Sequence, residues 1–201
     1  MACEGNGMSD ERIGEALIKE VIDEELRDMP TGSTPPLTPL AVEVRNEQEK
    51  KMVTQLAKMI RIVGDKVHDD RAFQDAIDGI AQDSESKWER FKQVAHKVFE
   101  HGITWERIAV LFYVAGRLAV KMVEIHLPQS VREIIRLTVE FFRDNLLVWI
   151  QEHGGWINSF SDLAVASVQC MSFMNSQTYR FIFIFIAGLG LGSFITWKMT
   201  R

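Results

Sequence analysis

The chain has 201 residues and a mass of 23.0 kDa, the size of one ordinary domain with appended segments, which excludes a multidomain assembly. With 46% hydrophobic and 25% charged residues it sits near globular averages, so neither wholesale disorder nor a polytopic membrane protein fits. The net charge of -5 is unevenly spread, with nine acids and three bases in residues 1–30 and a near balance afterwards, and no strongly basic face for nucleic acid is implied.

The opening MACEGNGMSDERIGE has neither a basic start nor an apolar run, so no secretory signal is read and a reducing compartment is expected. Cys3 and Cys170 are accordingly read as free thiols. Ile13, Leu17, Val21, Ile22 and Leu26 recur at helical spacing with acids on the other face, which predicts an amphipathic helix over about 10–29 inside an N-terminal segment, 1–29. Pro30, Pro35, Pro36 and Pro39, with Gly32 and three threonines, mark residues 30–45 as a flexible loop. Thr34 and Thr38 each precede a proline there and are candidate phosphorylation sites, a status shared by any Thr-Pro pair in a loop.

Residues 46–178 read as the bundle core. Met52, Leu56, Met59, Ile60, Val63 and Val67 form a second apolar stripe over about 46–68, and a weaker helix lies around 72–81. Ser84 reads as an N-cap for the helix carrying Trp88, Phe91, Val94, Ala95, Val98 and Phe99. From Thr104, another N-cap, the run WERIAVLFYVAGRLAVKMVEI is apolar almost all round, interrupted by Glu106, Arg107, Arg117, Lys121 and Glu124. Such a helix belongs in the middle of a bundle. Pro128 can open the next helix, VREIIRLTVEFFRDNLLVWI, which ends near His153, Gly154 and Gly155. These two long helices form an antiparallel hairpin, and a short helix is expected around Asp162 to Val168.

The run Phe181 to Trp197 carries no charge, and Arg180, Lys198 and Arg201 flank it. Seventeen helical residues span roughly 25 Å, slightly under the hydrocarbon thickness of a bilayer. Two readings stay open, a buried core helix and a C-terminal transmembrane anchor over 179–201, and the anchor is the expectation adopted. Phe181, Ile182, Phe183, Ile184, Phe185 and Ile186 supply its apolar half; Gly188 and Gly192 make it only moderately apolar, and Trp197 and Lys198 stand at the interface.

No metal or catalytic signature competes with these features. His68, His96, His101, His126 and His153 form no i, i+4 pair, and neither cysteine lies near one at zinc-ligand spacing. Gly188-Leu-Gly190-Leu-Gly192 lies inside an apolar run without a preceding strand, so it is not read as a dinucleotide loop. No metal, cofactor or enzymatic activity is expected.

Three stretches carry a resemblance. Leu56-Ala-Lys-Met-Ile60-Arg-Ile-Val63-Gly64-Asp65-Lys-Val67 sets apolar residues at i, i+4, i+7 and i+11 with Gly-Asp after the third. It resembles the third homology motif of the Bcl family of apoptosis regulators. Phe99 to Leu118, FEHGITWERIAVLFYVAGRL, is similar to that family's first motif, and Trp149-Ile-Gln-Glu-His-Gly154-Gly155-Trp156 to the second. Order, spacing and the terminal apolar run agree across about residues 10–201.

The resemblance implies an all-α bundle of eight or nine helices around a central hydrophobic hairpin, followed by a C-terminal tail-anchor helix. It implies that Leu56, Ile60, Val63, Gly64, Asp65 and Val67 form a motif helix that docks on a partner. It also implies a groove built with Trp105, Glu106, Arg107, Trp149, Gly154, Gly155 and Trp156. The three tryptophans are read mainly as core anchors and Arg107 as the groove charge for an incoming aspartate. Where the family has Asn-Trp-Gly-Arg, this chain has Thr104-Trp105-Glu106-Arg107, which places a carboxylate where a glycine would face an incoming helix.

The function implied is that of a pro-apoptotic effector: a cytosolic chain, activated by motif-only ligand helices, that homo-oligomerises motif-in-groove and permeabilises the mitochondrial outer membrane, releasing cytochrome c. Its implied partners are Bcl-family proteins, itself and membrane lipid, not nucleic acid. A survival-type groove protein that sequesters motif helices, and a tail-anchored adaptor, are the alternatives.

Overall fold

The computed structural model describes residues 4–29, 46–68, 71–82, 87–159 and 161–164. The loop over 30–45, Ser84, Cys3, Cys170 and the anchor over 179–201 lie outside the described residues. Seven helices follow in chain order: α1 (Glu4–Arg27), α2 (Glu47–His68), α3 (Arg71–Gln82), α4 (Lys87–Val98), α5 (Trp105–Glu124), α6 (Ser130–Phe141) and α7 (Leu147–Glu152). Further helical turns cover 155–159 and 161–164, and no strand occurs among the described residues.

The centre is α5. Fifteen of its twenty residues are buried, which matches a sequence that is apolar almost all round, and α1, α2, α3, α4 and α6 all pack against it. Thr104 caps it as expected: its backbone is extended and its hydroxyl accepts from the Arg107 N–H at 3.3 Å, satisfying a donor that the first turn leaves open. The helix ends in a Schellman turn, with the Leu127 N–H on the Met122 carbonyl at 2.7 Å and the His126 N–H on Val123 at 3.0 Å. His126 takes the left-handed position of that turn, at φ 62°, so the hairpin turns within a few residues before Pro128.

α1 starts at Glu4, earlier than the apolar stripe predicts, and lays Ile13, Leu17, Ile18, Val21, Ile22 and Leu26 on the core. Each such side chain contributes about 1.5–3 kcal/mol of burial. A second element also departs from expectation. The helix expected to run unbroken from the hairpin turn to His153 contains a π turn over Phe142–Leu146, where the Asn145 side-chain amide takes up the Phe141 carbonyl at 3.0 Å.

Candidate motif helix and groove

The stripe of the third motif faces inward. Leu56, Ile60 and Val63 are buried, and Gly64 lets α2 meet α5, because a Cβ there would come within 2.1 Å of the Tyr113 ring. Val67 lies in the last turn of α2, with its side chain outside the description. Asp65 is different: its side chain is 56% exposed, it accepts from the Tyr113 hydroxyl at 3.4 Å and it lies 4.0 Å from Arg61 on its own helix. Burial pushes the Tyr113 hydroxyl's pKa up, so it stays a donor to the Asp65 carboxylate through the physiological range.

Arg107 opens α5 from a half-buried position, and its guanidinium donates to the Gly102 carbonyl at 2.6 Å. Asp65 and Arg107 thus each have local partners within the monomer. Glu106 is half-buried in the first turn of α5, where a carboxylate suits the helix N-terminus, and it makes no ion pair among the described residues.

The tryptophans form the aromatic floor at this end of the bundle. The Trp105 ring meets Trp149 edge-on at 5.2 Å and Trp156 at 5.6 Å, and Phe112 and Phe142 pack against Trp156 at 6.3 and 6.2 Å. Rings at these separations add about 0.5–1.5 kcal/mol per pair beyond area burial. Trp105 and Trp156 are buried, whereas Trp149 is half-buried and stacks on His153 at 3.9 Å. Gly154 and Gly155 carry φ of 88° and 70°, a left-handed pair that only glycine adopts readily, and they turn the chain so that Trp156 enters the core.

Asp10 of α1 holds that turn. Its carboxylate accepts from the Trp156 backbone N–H at 3.2 Å and its carbonyl accepts from the indole N–H at 2.8 Å. Burial raises the Asp10 pKa, opposed by the Trp156 hydrogen bond. Gly155 allows the approach, since a Cβ would lie 2.7 Å from the carboxylate. A cleft of about 130 Å³ beside the turn is lined in part by Ser9, Asp10, Glu49 and Trp156. Among the described residues no cluster of three His, Cys, Asp or Glu converges on a metal position.

Sequence reading did not single out Asp10, Glu25, Tyr113 or Phe142. For Glu25 a signal existed: it falls four residues after Val21, on the apolar stripe of α1, and Arg117 is one of the few charges inside α5.

The comparisons with known proteins fit this geometry. Residues 60–156 match the family described as "Apoptosis regulator proteins, Bcl-2 family". Mouse "Apoptosis regulator BAX" is 30% identical over 168 residues, 83% of this chain and 78% of that protein. Rat "Bcl-2-like protein 1" is 33% identical over 93 residues, 46% of this chain and 40% of that protein. Among solved structures, Trichoplax adhaerens trBcl-2L2 bound to trBak BH3 shares the fold with a TM-score of 0.61 at 20% identity, over 76% of this chain and 97% of that one. A homologous sequence along most of the chain, the same fold and three motifs brought to one bundle lead to one conclusion: the chain belongs to the Bcl-2 family of apoptosis regulators.

Proposed function

We propose that the chain is a pro-apoptotic effector of this family. In the resting bundle α2 is part of the core. On activation by a ligand helix it leaves, docks its Leu56, Ile60 and Val63 face in the groove of a second copy, and presents Asp65 to that copy's Arg107. The observation that supports this reading is the inward face of Leu56, Ile60 and Val63 beside an Asp65 that remains half exposed: the proposed partner-binding face is occupied by the chain's own core. Such a bundle needs two arrangements of similar free energy. We further propose residues 179–201 as the mitochondrial anchor; no helix among the described residues is long and apolar enough to cross a membrane.

The likeness to rat "Bcl-2-like protein 1" over 93 residues favours a second reading, a groove protein that captures motif helices without forming pores. Dye release from liposomes of mitochondrial lipid composition, with and without a motif peptide, separates the two. Peptide-dependent release that is lost in Asp65→Ala and Arg107→Ala at unchanged melting temperature supports the effector. No release, together with inhibition of another effector, supports the groove protein.

A further inference from the structure

The carboxylate of Glu25, only 4% exposed, sits where α1, α2 and α5 meet. Its place exists because residue 116 is glycine: a Cβ there would come within 2.8 Å of Glu25 Cγ. Oε2 accepts from Arg117 Nη1 at 3.3 Å. Oε1 lies 3.8 Å from Arg61 Nε of α2, beyond hydrogen-bond reach, and has no hydrogen-bond partner. Arg61 is shared further, contacting Asp28 just past the end of α1 and lying 4.0 Å from Asp65.

Three buried side-chain atoms lack a hydrogen-bond partner among the described residues: Arg12 Nε, Glu25 Oε1 and Arg117 Nε. Two of them belong to this junction, and the third is also on α1. Asp28 and Asp65 are more than half exposed, so the desolvation cost at this junction falls on Glu25, whose carboxylate is only half satisfied. A buried pair so imperfectly satisfied fixes orientation while adding little net stability, and apolar side chains of similar volume would hold the same helices more firmly. Elsewhere α1, α2 and α5 meet mainly through close-packed apolar side chains, with the Arg12–Glu49 ion pair at 2.8 Å also joining α1 to α2, so the Glu25 corner is a poorly satisfied seam between the three helices.

We propose that the Glu25–Arg117–Arg61 junction is an autoinhibitory latch of low holding strength, which orients α2 against α1 in the resting bundle and is the first contact to open when α2 leaves the core. The inference rests on the effector reading only for its activity readout, because the opening of α2 is measured directly.

The test uses hydrogen exchange of the full chain at fixed pH and salt, comparing amides of residues 56–65 in α2 with those of α6, alongside dye release triggered by a motif peptide. Replacing the buried pair by apolar volume, Glu25→Met with Arg117→Met, leaves Arg61 its two other carboxylates. It is expected to slow α2 exchange about tenfold beyond any change in α6 and to reduce release. Gly116→Ala pushes a methyl into the place of Glu25 Cγ and is expected to act in the opposite direction, with faster α2 exchange and release at lower peptide concentration. Equal shifts in α2 and α6, or no shift in α2 for either substitution, would overturn the latch. If α2 responds as expected while no variant, the parent included, releases dye, the latch stands and the effector reading falls.

Discussion

Phe142 fills the space that any side chain at Gly14 would need: a Cβ on that glycine would lie 2.2 Å from Cζ of the ring. The pair locks α1 to the π turn, and Arg143, next in sequence, reaches across to Glu11 at 3.0 Å and also contacts Glu15. On an exposed helix Gly→Ala gains up to about 1 kcal/mol. Here the overlap decides the sign, and Gly14→Ala should destabilise the bundle by about 1–3 kcal/mol. Adding Phe142→Leu should recover part of the loss, so the two changes are less than additive in a denaturation cycle. Additive losses would show that the ring yields freely.

Asp10, Asp23 and Glu25, all on α1, have pKa values raised above the ordinary 3.8 and 4.5, in each case chiefly by burial. A raised folded-state pKa means that the native state binds the proton more tightly than the unfolded chain. The stability these groups confer is complete below the ordinary carboxylate range and is lost as pH rises through the raised values. Amide protection along α1, corrected for intrinsic exchange, should therefore fall as pH rises above the ordinary carboxylate range more steeply than along α6, and Glu25→Gln should flatten the slope. Protection of α1 that increases with pH would contradict the assignment.

Glu106 stands at the start of α5 beside Arg107. If it faces an incoming helix, Glu106→Gly should tighten binding of a motif peptide about tenfold, or roughly 1.4 kcal/mol. A fluorescence titration reads this directly, and an unchanged dissociation constant would place the carboxylate outside the groove.

Removing residues 179–201 should leave a folded bundle that no longer attaches to mitochondria. Gly190→Lys should act similarly, since a lysine at the centre of a spanning helix costs about 2.5–3.5 kcal/mol on insertion scales. Carbonate-resistant attachment of the truncated chain would end the anchor reading.

Much of this architecture is legible in the sequence because its causes are local. Thr104 caps α5 through a bond to a residue three positions away, and the apolar runs of α2 and α5 mark their own burial. The contacts that were not legible join residues far apart: Asp10 to Trp156 across 146 positions and Glu25 to Arg117 across 92. Nothing in either local pattern names its partner. The early start of α1 was hidden for another reason, since Gly5 and Gly7 disfavour helix and no apolar stripe marks that turn.

The π turn also settles a matter of angular phase. Buried positions step by four along this stretch, through Thr138, Phe142, Leu146 and Ile150. In a regular α-helix each four-residue step overshoots a full turn by about 40°, so three steps would swing the buried face through about 120°. One extra residue in a turn takes back about 100° of that. Thr138 and Ile150 thereby look the same way from a helix whose plain form would have turned one of them to solvent. A gapless alignment with any relative lacking the extra residue would pair Trp149 with a position on a different side of the helix, although the two proteins bury the same face.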